Sequence, residues 1–100
     1  MILVRNVFKL KFGKTKDALA VFKEGQAFAR RLGVGAAPPR LLTDVVSSFY
    51  TLVLEQTFAS LAEFETSSQT LMANPEWKSW YQKVLPFVES GHREIFTIVE

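Results

Sequence analysis

The sequence predicts a single α+β domain in which helices cover one face of a four-stranded antiparallel sheet. Segments near both ends and in the middle of the chain alternate apolar and polar residues with a period of two, which is typical of strands. Between them lie segments whose apolar residues recur at helical spacing. The resulting order is β-α-β-β-α(α)-β, and we expect one domain over residues 1–100.

The first predicted strand covers residues 2–12 and is expected to bury one face. A single polar residue, Asn6, interrupts the apolar stripe on that face. The stripe consists of Ile2, Val4, Asn6, Phe8, Leu10 and Phe12. A buried amide costs free energy unless it is hydrogen-bonded, so we expect Asn6 to meet a polar group.

The first predicted helix spans about residues 15–32. Thr15 is the expected N-cap, and Asp17 lies in the first turn, where the helix dipole favours a carboxylate. Gly33 suits the C-terminal end. Residues 33–39 are expected to form a loop, because neither a helix nor a central strand tolerates so much glycine and proline.

The middle of the chain predicts a tight antiparallel hairpin. Its strands are expected over Arg40–Val46 and Phe49–Thr57, around Ser47-Ser48. Two serines are not the residues that a two-residue hairpin turn prefers, so the turn is the weakest part of this prediction.

Two helices are predicted next. Ser60 and Glu63 have the spacing of a capping box, which marks the start of the first one. Asn74 and Pro75 provide an N-cap and a first helical residue for the second.

A closing strand is predicted at the end of the chain. Pro86 is expected to kink or break the preceding helix before it stops at Gly91. The strand is then expected over Arg93–Val99, where alternation resumes.

This order of elements is the split βαβ arrangement of a ferredoxin-like sheet. The face without helices is not convincingly polar, because it carries Val7 and apolar residues from segments 45–54 and 95–99. A monomer would expose that surface as a large apolar patch. We therefore expect a homodimer in which two identical sheets pack face to face.

Composition argues against several functional classes. The net charge is +2 and the longest basic run is Arg30-Arg31, so we expect no nucleic-acid partner. The chain has no cysteine, which excludes disulfides and thiolate chemistry. No apolar run approaches the ~20 residues of a membrane span, and the N-terminus has no signal-peptide pattern, so we expect a cytoplasmic protein without membrane association.

Several segments resemble the NIPSNAP-like families of the dimeric α/β-barrel superfamily. They are Leu42-Thr43-Asp44, Leu52-Val53-Leu54-Glu55, Ser60 to Glu65, and Asn74-Pro75-Glu76-Trp77 through Glu89-Ser90-Gly91. The resemblance implies a ferredoxin-like fold and a dimeric barrel. It implies no particular reaction, because the superfamily includes monooxygenases, dehydratases, isomerases and proteins without an assigned reaction.

Haem-degrading members of that superfamily have an Asn in the first strand, and Asn6 matches it. Those members also need a Trp and a His on later elements, and the nearest positions here hold Phe64 and Trp80-Tyr81. Haem degradation is therefore not expected, and no cofactor is assigned. Asn6 either orients a ligand or is satisfied by neighbouring backbone or water, and we favour the second interpretation.

His92 is the single histidine, so no metal site with several His ligands can form within one chain, and we assign no metal. As a general base it would need a pocket and a proton partner, for which Glu94 lies on the same strand face. The simpler interpretation, which we favour, is a solvent-side residue where the last strand begins.

Trp77, Trp80 and Tyr81 form the densest aromatic cluster. They are candidates for the wall of a ligand cavity between helices and sheet. A stripe at helical spacing is more often core, and we favour that interpretation.

Polar residues on the outward strand positions are expected to line the barrel between two sheets. They are Arg5, Thr43, Thr51, Glu55, Arg93 and Thr97. Among them, Arg5 and Glu55 are expected to pair as ions. A shift of one residue in register would move a strand's residues to the other face.

The sequence thus predicts a small-molecule-binding module without an assigned reaction. The candidate ligand pocket consists of Asn6, Trp77, Trp80, Tyr81 and His92, and no catalytic residue is assigned. The alternative is a cofactor-independent monooxygenase-like enzyme that acts on a small aromatic or apolar substrate.

Overall fold

The computed structural model describes all residues from Met1 to Glu100 and has the predicted ferredoxin-like βαββαβ fold. The strands are β1 (Ile2–Leu10), β2 (Arg40–Thr43), β3 (Thr51–Phe58) and β4 (Val88–Thr97). The helices are α1 (Thr15–Leu32), α2 (Leu61–Met72) and α3 (Pro75–Val84), followed by a 3-10 turn over Leu85–Phe87. The strands pair antiparallel in the order β2-β3-β1-β4.

The sheet has two faces with different environments. On β1, the even-numbered residues lie on the helix-covered face, where Val4 and Leu10 are fully buried. The odd-numbered residues lie on the open face, which no helix covers. The molecule measures 36 × 34 × 18 Å, so its shortest dimension accommodates one sheet and one layer of helices.

The hydrophobic core lies between the helix-covered face and the helices. Its buried residues are Leu10, Ala18, Phe22, Leu52 and Val84, which come from β1, α1, β3 and α3. The predicted alternation of β1 is confirmed, although the strand ends at Leu10 and Phe12 is exposed.

The predicted tight turn at Ser47-Ser48 is wrong. Strands β2 and β3 end at Thr43 and begin at Thr51, and residues 44–50 form a longer loop between them. The loop is closed by Asp44, whose carboxylate accepts a hydrogen bond from the Thr51 N–H at 2.8 Å. Two serines do not favour the positive φ values of a two-residue hairpin turn, and the positive φ of this loop falls at Tyr50 instead.

Helix α1 begins and ends close to the predicted positions. Thr15 is its first residue rather than its N-cap, which is Lys14 without a side-chain hydrogen bond. Gly33 adopts the left-handed conformation at φ 66°, and its N–H donates to carbonyls of the last turn.

The predicted caps of α2 and α3 are confirmed. The Ser60 hydroxyl accepts from the Glu63 N–H at 3.2 Å, and the Glu63 carboxylate accepts from the Ala59 N–H at 3.1 Å. At the start of α3, the Asn74 side chain accepts from the Glu76 N–H at 2.9 Å. No helix of the structure is both long and apolar enough to cross a membrane.

The last strand starts earlier than predicted. Pro86 does interrupt the helical segment, which ends at Val84 and passes through the 3-10 turn directly into β4. Gly91 is therefore a strand residue opposite Phe8 and not a helix stop. A Cβ at this position would lie 3.1 Å from the Val7 carbonyl oxygen and 3.2 Å from the Phe8 ring, so a side chain would fit only if these neighbours shifted slightly.

Candidate functional site

The largest cavity lies between the helix-covered face and the helices and has a volume of about 540 Å³. Thirteen of its 23 lining residues are hydrophobic, which is typical of sites for small organic ligands. All five residues predicted for a pocket line it, namely Asn6, Trp77, Trp80, Tyr81 and His92. Their role in binding stays a prediction.

Trp80 belongs both to the cavity wall and to the core. Its indole N–H donates to the Val21 carbonyl at 2.8 Å, and its ring meets Phe22 edge-on at a centroid distance of 5.7 Å. The ring lies directly on Gly25, where a Cβ would come within 2.6 Å of it. Core and pocket are therefore not exclusive alternatives for this residue.

Trp77 and Tyr81, which also belong to α3, continue the aromatic wall beside Trp80. Their rings stack with a centroid distance of 5.1 Å and an interplanar angle of 13°. Both residues line the cavity, and Tyr81 is partly exposed. Tyr81 is thus the more exposed end of the aromatic wall, while Trp77 and Trp80 are both half-buried.

Asn6 has the polar partner that its place in an apolar stripe requires. Its side-chain carbonyl accepts a hydrogen bond from Arg93 Nε–H at 2.7 Å. The two residues are register partners on β1 and β4, so both side chains lie on the helix-covered face. The partner is a side chain that also lines the cavity, whereas we expected neighbouring backbone or water.

The predicted outward placement of Arg93 is therefore wrong, as are those of Thr43 and Thr97. Thr43 is the register partner of Leu52, and Thr97 is the partner of Ile2, so both lie on the helix-covered face. The prediction had the wrong phase for β4, which begins at Val88. Arg93 is the main cavity residue that the sequence interpretation missed.

His92 borders the cavity, but its imidazole turns away from it. His92 is the register partner of Val7 on the open face, and Nε2 lies 3.3 Å from the Glu94 carboxylate. The expected proximity of His92 and Glu94 is present. The imidazole and the Asn6 amide nevertheless lie on opposite faces of the sheet, so they cannot act together on one molecule in this cavity.

Arg5 and Glu55 form an ion pair on the open face, with Arg5 Nε at 2.9 Å from the Glu55 carboxylate. The pair belongs to a row of charges that crosses all four strands. Glu55 also accepts from Arg40 at 2.6 Å, and Arg5 also donates to Glu94 at 3.0 Å. Two arginines and two glutamates balance one another, which lowers the cost of burying the Glu55 carboxylate.

Solved structures with this fold include NIPSNAP proteins. A NIPSNAP family protein from Agrobacterium tumefaciens superposes with a TM-score of 0.85 at 14% identity, covering 99% of this chain and 93% of that one. An uncharacterized NIPSNAP domain protein from Burkholderia xenovorans gives 0.83 at 14% identity, with coverage of 99% and 95%. This chain shares its fold with NIPSNAP proteins.

A solved structure described as a putative monooxygenase has the same fold. A putative antibiotic biosynthesis monooxygenase from Nitrosomonas europaea superposes with a TM-score of 0.78 at 13% identity, and each chain is covered completely. No protein-family model and no curated protein matches the sequence. At these identities the likeness establishes the fold, and the fold expected from the NIPSNAP resemblance is confirmed.

Proposed function

We propose that this protein binds a small, largely apolar molecule in the cavity between the helix-covered face and the helices. The observation that carries the proposal is the cavity itself, with a volume of about 540 Å³ and a mostly hydrophobic lining. Apolar pockets of this size bury most of the surface of a small organic ligand. The NIPSNAP fold supports the proposal only as a scaffold, because it specifies no ligand.

The test uses a neutral aromatic probe, 3-phenylpropionamide, and the two tryptophans of the chain. Both Trp77 and Trp80 line the cavity, so their indole N–H resonances report on its occupation. We expect both resonances to shift in a saturable manner on titration. If neither shifts at millimolar amide or 3-phenylpropionate, the proposal is wrong.

A cavity-filling variant locates the probe. Ser68 on α2 lines the cavity, so Ser68→Phe is expected to fill part of it and to weaken binding at least tenfold. Gln69→Phe on the same helix is the matched control, because Gln69 is exposed and does not line the cavity. Equal affinities of the two variants would contradict the assigned site.

The same proposal includes a homodimer formed through the open face, in the cytoplasm. Its support is an apolar surface on both sides of the balanced charge row, including Leu42 and Phe96, which are 38% and 50% exposed. Isolated exposed apolar side chains are ordinary, whereas a whole unpartnered sheet face is not. Sedimentation should give a dimer at micromolar concentration.

An interface variant tests the dimer further. Leu42→Arg is expected to yield monomers, because it places a charge on the open face. Leu61→Arg on α2 makes the same exchange at an exposed helix position and should leave the dimer intact. A monomeric parent protein, or a dimer that tolerates Leu42→Arg, contradicts the proposed interface.

A monooxygenase-like activity on a small aromatic substrate is the second candidate. It is motivated by the fold shared with the Nitrosomonas europaea protein and by Asn6 lining the same cavity as Trp77 and Trp80. The reaction would place one atom of O₂ in the substrate and release the other as water. The substrate itself would supply the two electrons and two protons of that water, as in the oxidation of a phenol to a quinone. Oxygen consumption with electron-rich phenols tests it, and Asn6→Ala should abolish any uptake. No uptake across such a panel removes this candidate.

A further inference from the structure

One cationic side chain in the cavity lacks an acidic partner. Arg93 is the sole Lys or Arg among the lining residues, and its one side-chain hydrogen bond goes to the neutral Asn6 amide. Other arginines of the chain, such as Arg5 and Arg40, pair with carboxylates. The positive charge of Arg93 therefore lies uncompensated at the edge of a largely apolar cavity.

Two neighbours contact the Arg93 guanidinium from different sides. Arg93 Nε–H donates to the Asn6 side-chain carbonyl at 2.7 Å, and the guanidinium carbon lies 5.1 Å from the centroid of the Phe64 ring. The amide constrains one edge of the planar group, and the ring supports one face. The two terminal nitrogens make no hydrogen bond within the protein and stay free to donate to a ligand.

We propose that the ligand of this cavity is a small organic carboxylate, with its carboxylate on the Arg93 guanidinium and its apolar body against the aromatic wall. The proposal rests on the proposed function and specifies the chemical class of the ligand. A guanidinium fork matches the two oxygens of a carboxylate in a bidentate pair. Asn6 is a positioning residue, because it acts through Arg93.

The charges along the cavity wall favour a ligand with one negative charge, because the other charged lining residue is the acidic Glu89. Glu89 lies four residues before Arg93 on β4, roughly 13 Å along the strand from the rise per residue. The cavity thus has a cationic end and an acidic end with the apolar lining between them. A phosphate monoester would bring nearly two negative charges to one arginine, whereas a carboxylate brings one.

The experiment compares 3-phenylpropionate with its neutral amide, which have the same body and differ in charge. Calorimetry and the indole N–H shifts give both affinities. We expect the acid to bind about tenfold more tightly, the low end for charge-assisted hydrogen bonds, because Arg93 is exposed to solvent.

Variants assign the preference to the named groups. Arg93→Gln should equalise acid and amide, and Arg93→Lys should retain only part of the preference, because an ammonium lacks the fork. Arg30→Gln is the matched control, since it removes the same charge from an exposed position outside the cavity. Asn6→Ala should lower the affinity for the acid more than the affinity for the amide, and it should broaden the Arg93 Nε–H resonance.

The outcomes separate the two proposals. A preference for the acid that disappears in Arg93→Gln and persists in Arg30→Gln supports the carboxylate assignment. Equal binding of acid and amide by the parent protein, or a preference that survives Arg93→Gln, overturns the assignment and leaves the ligand-binding function standing. If neither compound binds, the proposed function and the carboxylate assignment both fail.

Discussion

Successive residues of each strand point to opposite faces of the sheet, and the two faces bury their side chains in different ways. On the helix-covered face, Leu52 is fully buried and packs in the core with Phe22. On the open face, Glu55 is 8% exposed although no helix covers it, because arginines hold it on two sides. Apolar packing surrounds Leu52, whereas ion pairs flank the buried Glu55 carboxylate.

Polar cross-strand neighbours occur on both faces but with different partners. On the open face, Arg5 meets carboxylates on both adjacent strands, so its charge is compensated. On the helix-covered face, Arg93 donates to the neutral Asn6 amide, so its charge is not compensated by a carboxylate. Cross-strand register pairs thus give a charge-balanced row on one side and an arginine without a carboxylate partner on the other.

The largest effect is expected from a truncation in the core that packs against the helix-covered face. Phe22→Ala should reduce the free energy of unfolding by about 3–5 kcal/mol, because it removes a fully buried ring and leaves a cavity in the core. The ring also contacts Phe8 at a centroid distance of 5.0 Å. Urea denaturation measures the loss. A loss below about 1 kcal/mol would contradict the core assignment.

Strands β1 and β4 show how much of the helix-covered face could be predicted from the sequence. On β1 the alternation is unbroken, so the buried positions and the unusual Asn6 were predictable. On β4 the apolar pattern is weak, and the strand's start depends on a 3-10 turn at Pro86 that periodicity does not reveal. The phase of β4, and with it the place of Arg93, therefore required the pairing with β1.

The hairpin loop shows a second limit of local sequence patterns. Apolar residues continue into Val45 and Val46, which suggested longer strands, but both side chains are almost fully exposed. The strands end earlier because the Asp44 carboxylate binds the Thr51 N–H and closes the loop. Side-chain hydrogen bonds of this kind compete with strand pairing and leave no periodic signal.

A smaller effect is expected where α1 touches the cavity wall. In Gly25→Ala the new methyl would come within 2.6 Å of the Trp80 ring, so the ring must move. We expect a net loss of about 1–3 kcal/mol in the free energy of unfolding, in spite of the higher helix propensity of alanine. In a Trp80→Leu background the same exchange should be neutral or stabilising. A similar loss in both backgrounds would show that Trp80 is not the obstacle.

The ion pairs of the open face should contribute less than the core. Glu55→Gln removes the charge that Arg5 and Arg40 share, and we expect a loss of about 1–2 kcal/mol because the Arg5 side chain is 33% exposed and the Arg40 side chain is 72% exposed. Glu65→Gln is the control, since Glu65 is exposed on α2 and forms no ion pair. Equal urea midpoints for the two variants would show that the ion pairs of Glu55 do not contribute measurably to the free energy of unfolding.

The smallest effect on the isolated chain is expected from Leu42→Ala. This variant tests whether the open face stays exposed in solution or is covered by a second chain. Because Leu42 is 38% exposed, the monomer should lose about 1 kcal/mol or less. If a second sheet covers the open face, the same truncation also weakens association. The loss in Tm should then be larger at the high end of a hundredfold range of protein concentration, where the parent is dimeric. A loss that is the same at every concentration would mean that Leu42 faces water in solution, and the charge row would then be a surface feature rather than the centre of an interface.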